Sequence, residues 1–209
     1  MEISSTSIKN RKEELIKATM QIVAENGLTD FTMKKVTERI GVSEALIYKH
    51  FESKDKLLFI CFESVHKQIA ALFAESKIPD IYSLKDLYAT VYTLWMKYFT
   101  FLVHNSYRTI FYFEYRQSKY IKSIMKRDVE MQKLYFNQFI RIFNVFNERF
   151  HVLAKTSADH LWTFILDVSG IFAKRIIQGV LPNTSESYEN VWRLISTGML
   201  GLIQPDTGP

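Results

Sequence analysis

The sequence predicts an all-α protein with a small N-terminal head and a larger C-terminal body. Only 7 glycines and 4 prolines interrupt the 209 residues, so long helices are expected. Apolar residues recur every three or four positions along most of the chain, which is the spacing of one helix face. No segment shows the alternating pattern of a β-hairpin. We expect a three-helix head over residues 1–55 and a helical body over residues 56–209.

Three helices are predicted in the head, at residues 8–26, 32–40 and 43–51. Gly27 suits a left-handed end to the first helix, and Gly41 permits a tight turn between the second and the third. Thr32 and Ser43 suit the N-caps of those two helices. Two short helices joined by a few residues and packed on a third form a helix-turn-helix arrangement, here at about residues 32–51.

The body is predicted to be helical throughout. The segment 84–104 is apolar on nearly every side, which is typical of a helix buried among other helices. Pro182 and the polar residues after it predict a loop before the last helix. The helices expected in the body cover residues 53–76, 84–104, 106–117, 120–150, 157–178 and 188–203.

Bulk properties favour a cytoplasmic protein. Cys61 is the single cysteine, so no disulfide can form within the chain. The first ten residues have no apolar core of a signal peptide, and no uncharged apolar window approaches 18 residues, so no membrane contact is expected. Residues 1–60 hold ten Lys and Arg against nine Asp and Glu. Charge alone therefore does not identify a DNA-binding half, and that prediction must rest on geometry.

The third predicted helix carries polar side chains that a protein core does not need. Leu46 or Ile47, together with Phe51, would face the first two helices. The opposite face would then be exposed, and a short exposed helix can enter the major groove of DNA. Hydroxyl groups and backbone N–H groups at helix N-termini, with nearby lysines, would hold the phosphates. Double-stranded DNA is therefore the expected partner.

The stretch TMKKVTERIGVSEALIYKHFESK, residues 32–54, resembles the N-terminal signature of the tetracycline-repressor (TetR) family of bacterial transcriptional regulators. The resemblance covers about residues 12–58. It implies an all-α homodimer whose heads bind a palindromic DNA operator and whose body senses a small-molecule effector. It places phosphate contacts on Thr32, Tyr48, His50 and Lys54. With the base-reading positions and the flanking donors, the expected DNA-binding residues are Thr32, Lys34, Ser43, Glu44, Ala45, Leu46, Tyr48, Lys49, His50 and Lys54.

Glu44 departs from the pattern that is frequent in the family's recognition turn. A carboxylate accepts a hydrogen bond from the amino group of cytosine but repels nearby phosphates. Glu44 therefore affects base preference in a way that the resemblance does not define.

An apolar, aromatic cavity for a hydrophobic or planar effector is expected in the body. Bulky rings at helix junctions often border such cavities, although rings at helical spacing also build ordinary cores. Fatty acyl compounds, flavonoid-like molecules, drugs and cationic dyes all fit this description. The candidate ligand-binding residues are Trp95, Tyr98, Phe99, Tyr112, Glu114, Arg116, Phe139, Phe143, Trp162 and Asp167.

The last two long helices have apolar stripes wider than a surface helix needs. In a two-fold dimer they would form a four-helix bundle, and Gly170 and Gly198 would allow close approach of helices. The alternative is that these helices only close the core of the body. The candidate interface residues are Leu161, Ile165, Val168, Phe172, Val191, Leu194, Ile195 and Met199.

Other classes of protein are less consistent with the sequence. The histidines are scattered over different predicted helices, so no metal site is expected, and no cofactor motif is present. Asp159 and His160 have no matching nucleophile motif, so no enzyme is expected. The rival hypothesis is a helical small-molecule carrier or interaction protein whose head no longer binds DNA. A repressor is expected, and activation stays open as an alternative.

Overall fold

The computed structural model describes residues 2–77, 79–123, 147 and 157–200, and for residues 2–9, 122, 123, 158, 159 and 200 it describes only the backbone. These residues form α-helices and one 3₁₀ turn at Lys119–Ser123, without a strand among them. The predicted all-α fold is confirmed. The helices are α1 (Glu2–Asn26), α2 (Met33–Ile40), α3 (Glu44–Phe51), α4 (Lys54–Ala74), α5 (Leu84–His104), α6 (Ser106–Arg116), α7 (Ala158–Ile177) and α8 (Ser185–Leu200).

Most helix boundaries lie where the sequence predicts them. The prediction for α5 is correct at both ends. The first helix starts at Glu2, six residues earlier than expected. The last helix starts at Ser185 instead of Tyr188, because the hydroxyl oxygen of Thr184 accepts the N–H of Ser187 at 3.2 Å and caps an additional turn. The helix predicted at 120–150 lies outside the described residues, apart from its first residues in the 3₁₀ turn.

The first of two compact units contains the described residues 2–68 and 105–123. In it α1 packs against α2 and α6, and α2 packs against α3. A continuous apolar core holds these helices together, and each of its side chains is at most 1% exposed: Leu15, Ile22, Val23, Phe31, Val36, Ile47, Phe51, Phe62 and Phe111.

The second unit contains the described residues of 69–104 and 157–200. Here α5 packs against α7 and α8, and α7 packs against α8. Trp95 stacks on Phe99 with ring centroids 4.8 Å apart, and its indole N–H donates a 2.8 Å hydrogen bond to the hydroxyl of Ser169 on α7. The two units are not consecutive stretches of the chain, because residues 105–123 belong to the same unit as residues 2–68, and the first division falls inside α4. The boundary at residue 55 stays a prediction.

One described helix, α4, is long and apolar enough to cross a membrane by length and composition. Its mean hydropathy is 1.4 over the relevant window, of which 50% is buried inside the protein. Leu57, Leu58, Val65 and Cys61 are fully buried in it. The core helix of a soluble protein passes the same test, so this helix is weak evidence for a membrane span.

Candidate nucleic-acid interface

The start of α2 is fixed by Thr32. Its backbone is extended, with φ −130°, and its hydroxyl oxygen accepts the N–H of Lys35 at 3.3 Å. This N-cap leaves the other N–H groups of the first turn of α2 facing outward, where an anion is stabilised. Thr32 itself is exposed. Its contact with a phosphate stays a prediction.

Gly41 makes the sharp turn from α2 to α3. It adopts the left-handed conformation, φ 73°, and donates its N–H to the carbonyl oxygen of Thr37 at 2.8 Å. A side chain at this φ would be strained, which explains why the turn of a helix-turn-helix needs glycine here. Ser43 then begins α3 with an extended backbone, but its hydroxyl makes no capping hydrogen bond with the described residues. The Ser43 hydroxyl is exposed and can bind an external acceptor.

Two side chains fasten α3 to the rest of the head. Ile47 is completely buried and Phe51 is 1% exposed, whereas Leu46 is half-buried. Of the two alternatives left open by the sequence, Ile47 is therefore the inward residue. Because Ile47 and Phe51 are four residues apart, they define one buried face and leave the opposite face to the solvent.

The outer face of α3 carries the predicted DNA-binding side chains. Glu44, Ala45 and Lys49 are exposed, and His50 is half-buried. Tyr48 is 46% exposed although its ring is large and apolar. An exposed aromatic ring with a terminal hydroxyl is suited to contact a phosphate and the sugar beside it. Contact of these residues with DNA stays a prediction.

Lys54 has an internal partner that the sequence did not reveal. Its ammonium group donates a 2.7 Å hydrogen bond to the carbonyl oxygen of Phe31 and lies 5.2 Å from the centre of the Phe31 ring. The side chain is half-buried as a result. In this structure Lys54 holds the loop before α2, and a phosphate contact would have to use its remaining donors.

Several other cations of the head are also engaged. Arg39 forms a two-pronged ion pair with Glu25, with distances of 3.0 and 2.5 Å, and this hydrogen bonding lowers the pKa of the Glu25 carboxyl. Lys34 lies 3.8 Å from Glu38. Lys35 donates to the carbonyl oxygen of Asp30 at 2.9 Å. These pairs lie on the surface and stabilise the fold little, but they reduce the positive charge presented to DNA.

Glu52 ends α3 in an unusual conformation. Its φ is 63°, the only positive value at a non-glycine residue among those that the structure describes. Its N–H donates to the carbonyl oxygen of Tyr48 at 2.9 Å, which closes the last turn of α3. A sequence reading expects glycine at such a position, so this residue was missed. The turn that it makes determines where α4 begins relative to the outer face of α3.

The exposed third helix, held by two buried side chains after a glycine turn, forms the arrangement of a helix-turn-helix domain. The comparisons with known proteins identify the family. The sequence profile of the bacterial regulatory proteins of the tetR family matches residues 15–60, which contain α2, α3 and their turn. Residues 15–60 therefore match the tetR family of bacterial regulatory proteins, and the chain has the fold of solved TetR-family regulators.

Similar proteins cover the chain to different extents. The nucleoid occlusion factor SlmA of Vibrio cholerae is 36% identical over 73 residues, which is 32% of this chain and 37% of that protein. The transcriptional repressor AcnR of Corynebacterium diphtheriae is 24% identical over 87 residues, 42% of this chain and 45% of that protein. These matches span less than half of either relative. A TetR family transcription regulator from Marinobacter aquaeolei superimposes with a TM-score of 0.71 at 18% identity, covering 93% of this chain and 96% of its own.

The predicted effector-binding residues are distributed over both units. Tyr112, Glu114 and Arg116 belong to the first unit, whereas Trp95, Tyr98, Phe99, Trp162 and Asp167 belong to the second. Phe139 and Phe143 lie outside the described residues. In the second unit the rings pack against one another as a core does: the Tyr98 hydroxyl donates to the carbonyl oxygen of Leu166 at 3.4 Å, and Trp162 lies edge-on to Phe73. Their role in binding an effector stays a prediction.

The predicted dimer residues divide into buried and exposed groups. Leu161, Ile165, Val191 and Ile195 are at most 4% exposed within the single chain. They pack in the core of the second unit, and their contribution to a dimer interface stays a prediction. Leu194 is 59% exposed, and Val168, Phe172 and Met199 are half-buried.

Two further apolar side chains on α7 are exposed to solvent but were not among the predicted interface residues. Phe164 is 40% and Ile171 is 56% exposed. They lie seven residues apart and so occupy the same face of α7. Gly198 permits the close approach of α7 and α8 expected from the sequence, because a Cβ there would lie 3.1 Å from the Phe164 ring.

The chemistry of the described residues agrees with a regulator. The family whose profile matches residues 15–60 consists of DNA-binding regulators and not of enzymes, as the sequence predicted. Among the residues that the structure describes, no three His, Cys, Asp or Glu side chains converge on a possible metal position. Cys61 is buried, and burial raises the pKa of its thiol, so it is an unreactive part of the core.

Proposed function

We propose that this protein is a cytoplasmic repressor that binds a palindromic DNA operator as a homodimer and leaves it when a small hydrophobic or aromatic effector binds. The observation that carries the proposal is the division of α3 into two faces. Ile47 and Phe51 hold the helix rigidly, while Tyr48, Lys49 and Glu44 stand in solvent. A rigid helix with an exposed polar face is what readout of a major groove requires.

The proposal of a dimer is supported by the surface of the second unit. Ile171, Leu194 and Phe164 expose much of their apolar area on α7 and α8. Two copies related by a two-fold axis would bury these side chains, and their heads could then read half-sites about 34–36 Å apart. Several cations of each head are occupied by partners within the protein and contribute less to phosphate binding. A dimer offsets this loss, since it doubles the number of phosphate contacts.

Release by an effector is supported by the aromatic composition of the second unit and by the family. Trp95, Tyr98 and Trp162 are at most 7% exposed and make the interior of the second unit aromatic and largely apolar. An effector that binds more tightly to a dimer conformation with low DNA affinity shifts the population toward that conformation. Repression is supported by the similarity of 42% of the chain to a protein that is named a transcriptional repressor.

The test is a mobility-shift titration of the full chain on the DNA upstream of its own coding region, with a shuffled duplex as the control. We expect the protein to bind the upstream DNA with an affinity at least 100-fold higher than its affinity for the control duplex. The complex should dissociate when a suitable fatty acyl compound, flavonoid or cationic dye is added. Equal affinity for both duplexes would contradict operator binding. Tight binding of an effector without any change in DNA affinity would contradict release.

A carrier or interaction protein with an inactive head is the second candidate. It is favoured by the engagement of Arg39, Lys35 and Lys54 within the head, which leaves few cations for phosphate. The same titration separates the two, because an inactive head gives no shift on either duplex while effector binding persists.

A further inference from the structure

A cavity of about 290 Å³ opens between the segment that follows α4 and one face of α5, wholly within the second unit. It is close to the lower end of the range for small-molecule sites, roughly 300–1,000 Å³. None of the aromatic residues assigned above to the effector borders it. Its walls are Ser76, Lys77, Pro79, Asp80, Asp86, Ala89, Thr90, Thr93, Leu94 and Lys97.

One end of the cavity is basic, and hydrogen bonds hold its ammonium group in place. The ammonium group of Lys97 donates a 3.0 Å hydrogen bond to the hydroxyl of Ser76, which in turn donates to the carbonyl oxygen of Leu72 at 2.7 Å. Ser76 is only 7% exposed, so this chain of hydrogen bonds anchors the ammonium to the protein. The remaining donors of Lys97 have no partner among the described residues. They can bind a carboxylate.

The other end is acidic. Asp86 accepts the N–H groups of Tyr82 and Ser83 at 3.2 and 2.9 Å, and the hydroxyl of Ser83 lowers the pKa of its carboxyl most. Asp80 accepts the hydroxyl of Tyr82 at 3.3 Å. Asp86 and Lys97 are eleven residues apart on α5, or about 16 Å between backbone positions at the helical rise of ~1.5 Å per residue. The two charges therefore mark opposite ends of the cavity.

The middle of the cavity combines apolar surface with one largely buried hydroxyl. Leu94 is 4% exposed and forms the floor with Ala89. Thr90 is 6% exposed, and its hydroxyl makes no hydrogen bond with any residue that the structure describes. A ligand atom beside this hydroxyl can form a hydrogen bond with it.

We propose that this cavity binds a short zwitterion of the ω-amino carboxylate class. Its carboxylate lies on Lys97, its aliphatic chain on Leu94 and Ala89, and its ammonium group toward Asp80 and Asp86. The walls carry two cations, Lys77 and Lys97, and two anions, Asp80 and Asp86. A ligand with a single charge therefore leaves one end of the site without a group of opposite charge. This site is separate from the aromatic interior assigned to the effector, and its test does not depend on DNA binding.

The test is isothermal titration calorimetry of the full chain with 6-aminohexanoate, hexanoate and hexylamine as probes. We expect 6-aminohexanoate to bind at least tenfold more tightly than either probe with one charge. Lys97→Gln should weaken its binding at least tenfold, and Asp80→Asn should weaken it by a smaller factor. Arg175→Gln is the control, because Arg175 is an exposed cation of the second unit outside the cavity wall, and it should leave the affinity unchanged.

The melting temperature of each variant is measured in parallel, and only variants within two degrees of the parent are compared. No heat from 6-aminohexanoate up to ten millimolar would overturn the proposal. Equal affinity for hexanoate, or an affinity that Lys97→Gln does not change, would overturn it as well. A protein that binds the zwitterion but gives no mobility shift would support this site while contradicting the proposed repressor.

Discussion

The ammonium group of Lys54, the first residue of α4, donates a 2.7 Å hydrogen bond to the carbonyl oxygen of Phe31, directly before the N-cap of α2. This hydrogen bond joins residues 23 positions apart. It holds the loop that presents Thr32, so Lys54 can contribute to DNA binding by positioning another residue instead of by contacting phosphate.

Replacement of Lys54 should therefore reduce stability and affinity but not the salt dependence. Lys54→Met leaves the Phe31 carbonyl without its charged partner, and we expect a decrease of about 1–3 kcal/mol in the free energy of unfolding. Lys49→Gln, on the exposed face, should instead lower the slope of log affinity against log salt by about 0.9 for each phosphate that the variant no longer neutralises. A fall of that size in the slope for Lys54→Met would show that Lys54 contacts phosphate directly.

Glu44 should limit DNA affinity and influence base preference. It is the first residue of α3, is exposed, and has no ion-pair partner among the described residues. Glu44→Gln removes a negative charge near the phosphates, so affinity for random DNA should rise and its salt dependence should increase. Discrimination at one base pair of the operator should fall by about 1–3 kcal/mol if the carboxylate accepts from cytosine. If Glu44→Gln and the parent protein bound every member of a panel of operator variants with the same affinity, a role for Glu44 would be contradicted.

The exposed apolar side chains of α7 and α8 should mediate dimerisation. Leu194→Glu or Ile171→Glu places a charge in the proposed interface, and sedimentation velocity should show a monomer at concentrations where the parent is a dimer. Val180→Glu is the control, because Val180 is 60% exposed but follows the end of α7. The proposed interface would be wrong if both of the first two variants stayed dimeric.

Stability should fall between pH 6.5 and pH 4 because of His66. This residue is fully buried, and its Nδ1 lies 3.0 Å from the Tyr112 hydroxyl. Burial, and to a lesser extent the charge of Arg116, lower its pKa to about 4. In the unfolded chain the pKa is about 6.5, so below that pH the unfolded state binds a proton that the folded state rejects, and stability decreases as the pH falls.

The expected decrease is roughly 3 kcal/mol at pH 4 relative to pH 7. Urea titrations across this range measure it, and His66→Phe should largely remove it. The carboxyls of Glu25 and Asp86 also have lowered pKa values, but they titrate below their ordinary values of 4.5 and 3.8 and act at lower pH. A free energy of unfolding that stays constant from pH 7 to pH 5 would contradict this assignment.

The sequence predicted the fold well where local chemistry decides it. Thr32, Gly41 and the four-residue spacing of Ile47 and Phe51 define the head, because caps, positive φ and helical periodicity act between near neighbours. Contacts between distant residues were not predicted. The hydrogen bond from Lys54 to Phe31 requires knowledge of how α4 returns to the loop before α2.

The body was predicted less completely for the same reason. Apolar stripes on α7 and α8 identify both helices, but they do not show which stripe faces the core and which faces a partner. Ile165 and Ile195 are buried whereas Ile171 and Leu194 are exposed, and the difference depends on how each helix is rotated against its neighbours. The cavity beside Lys97 also arises from packing, since its walls come from α5 and from the segment that connects α4 to α5.

The most direct test of the central claim compares Tyr48→Ala with Ile47→Ala on the upstream DNA. Because Tyr48 lies on the outer face of α3, its replacement should weaken binding at least tenfold and change the free energy of unfolding by less than about 0.5 kcal/mol. Ile47→Ala should cost about 2–5 kcal/mol in stability. A Tyr48→Ala protein that binds DNA as tightly as the parent, or that is destabilised to the extent of Ile47→Ala, would contradict the account.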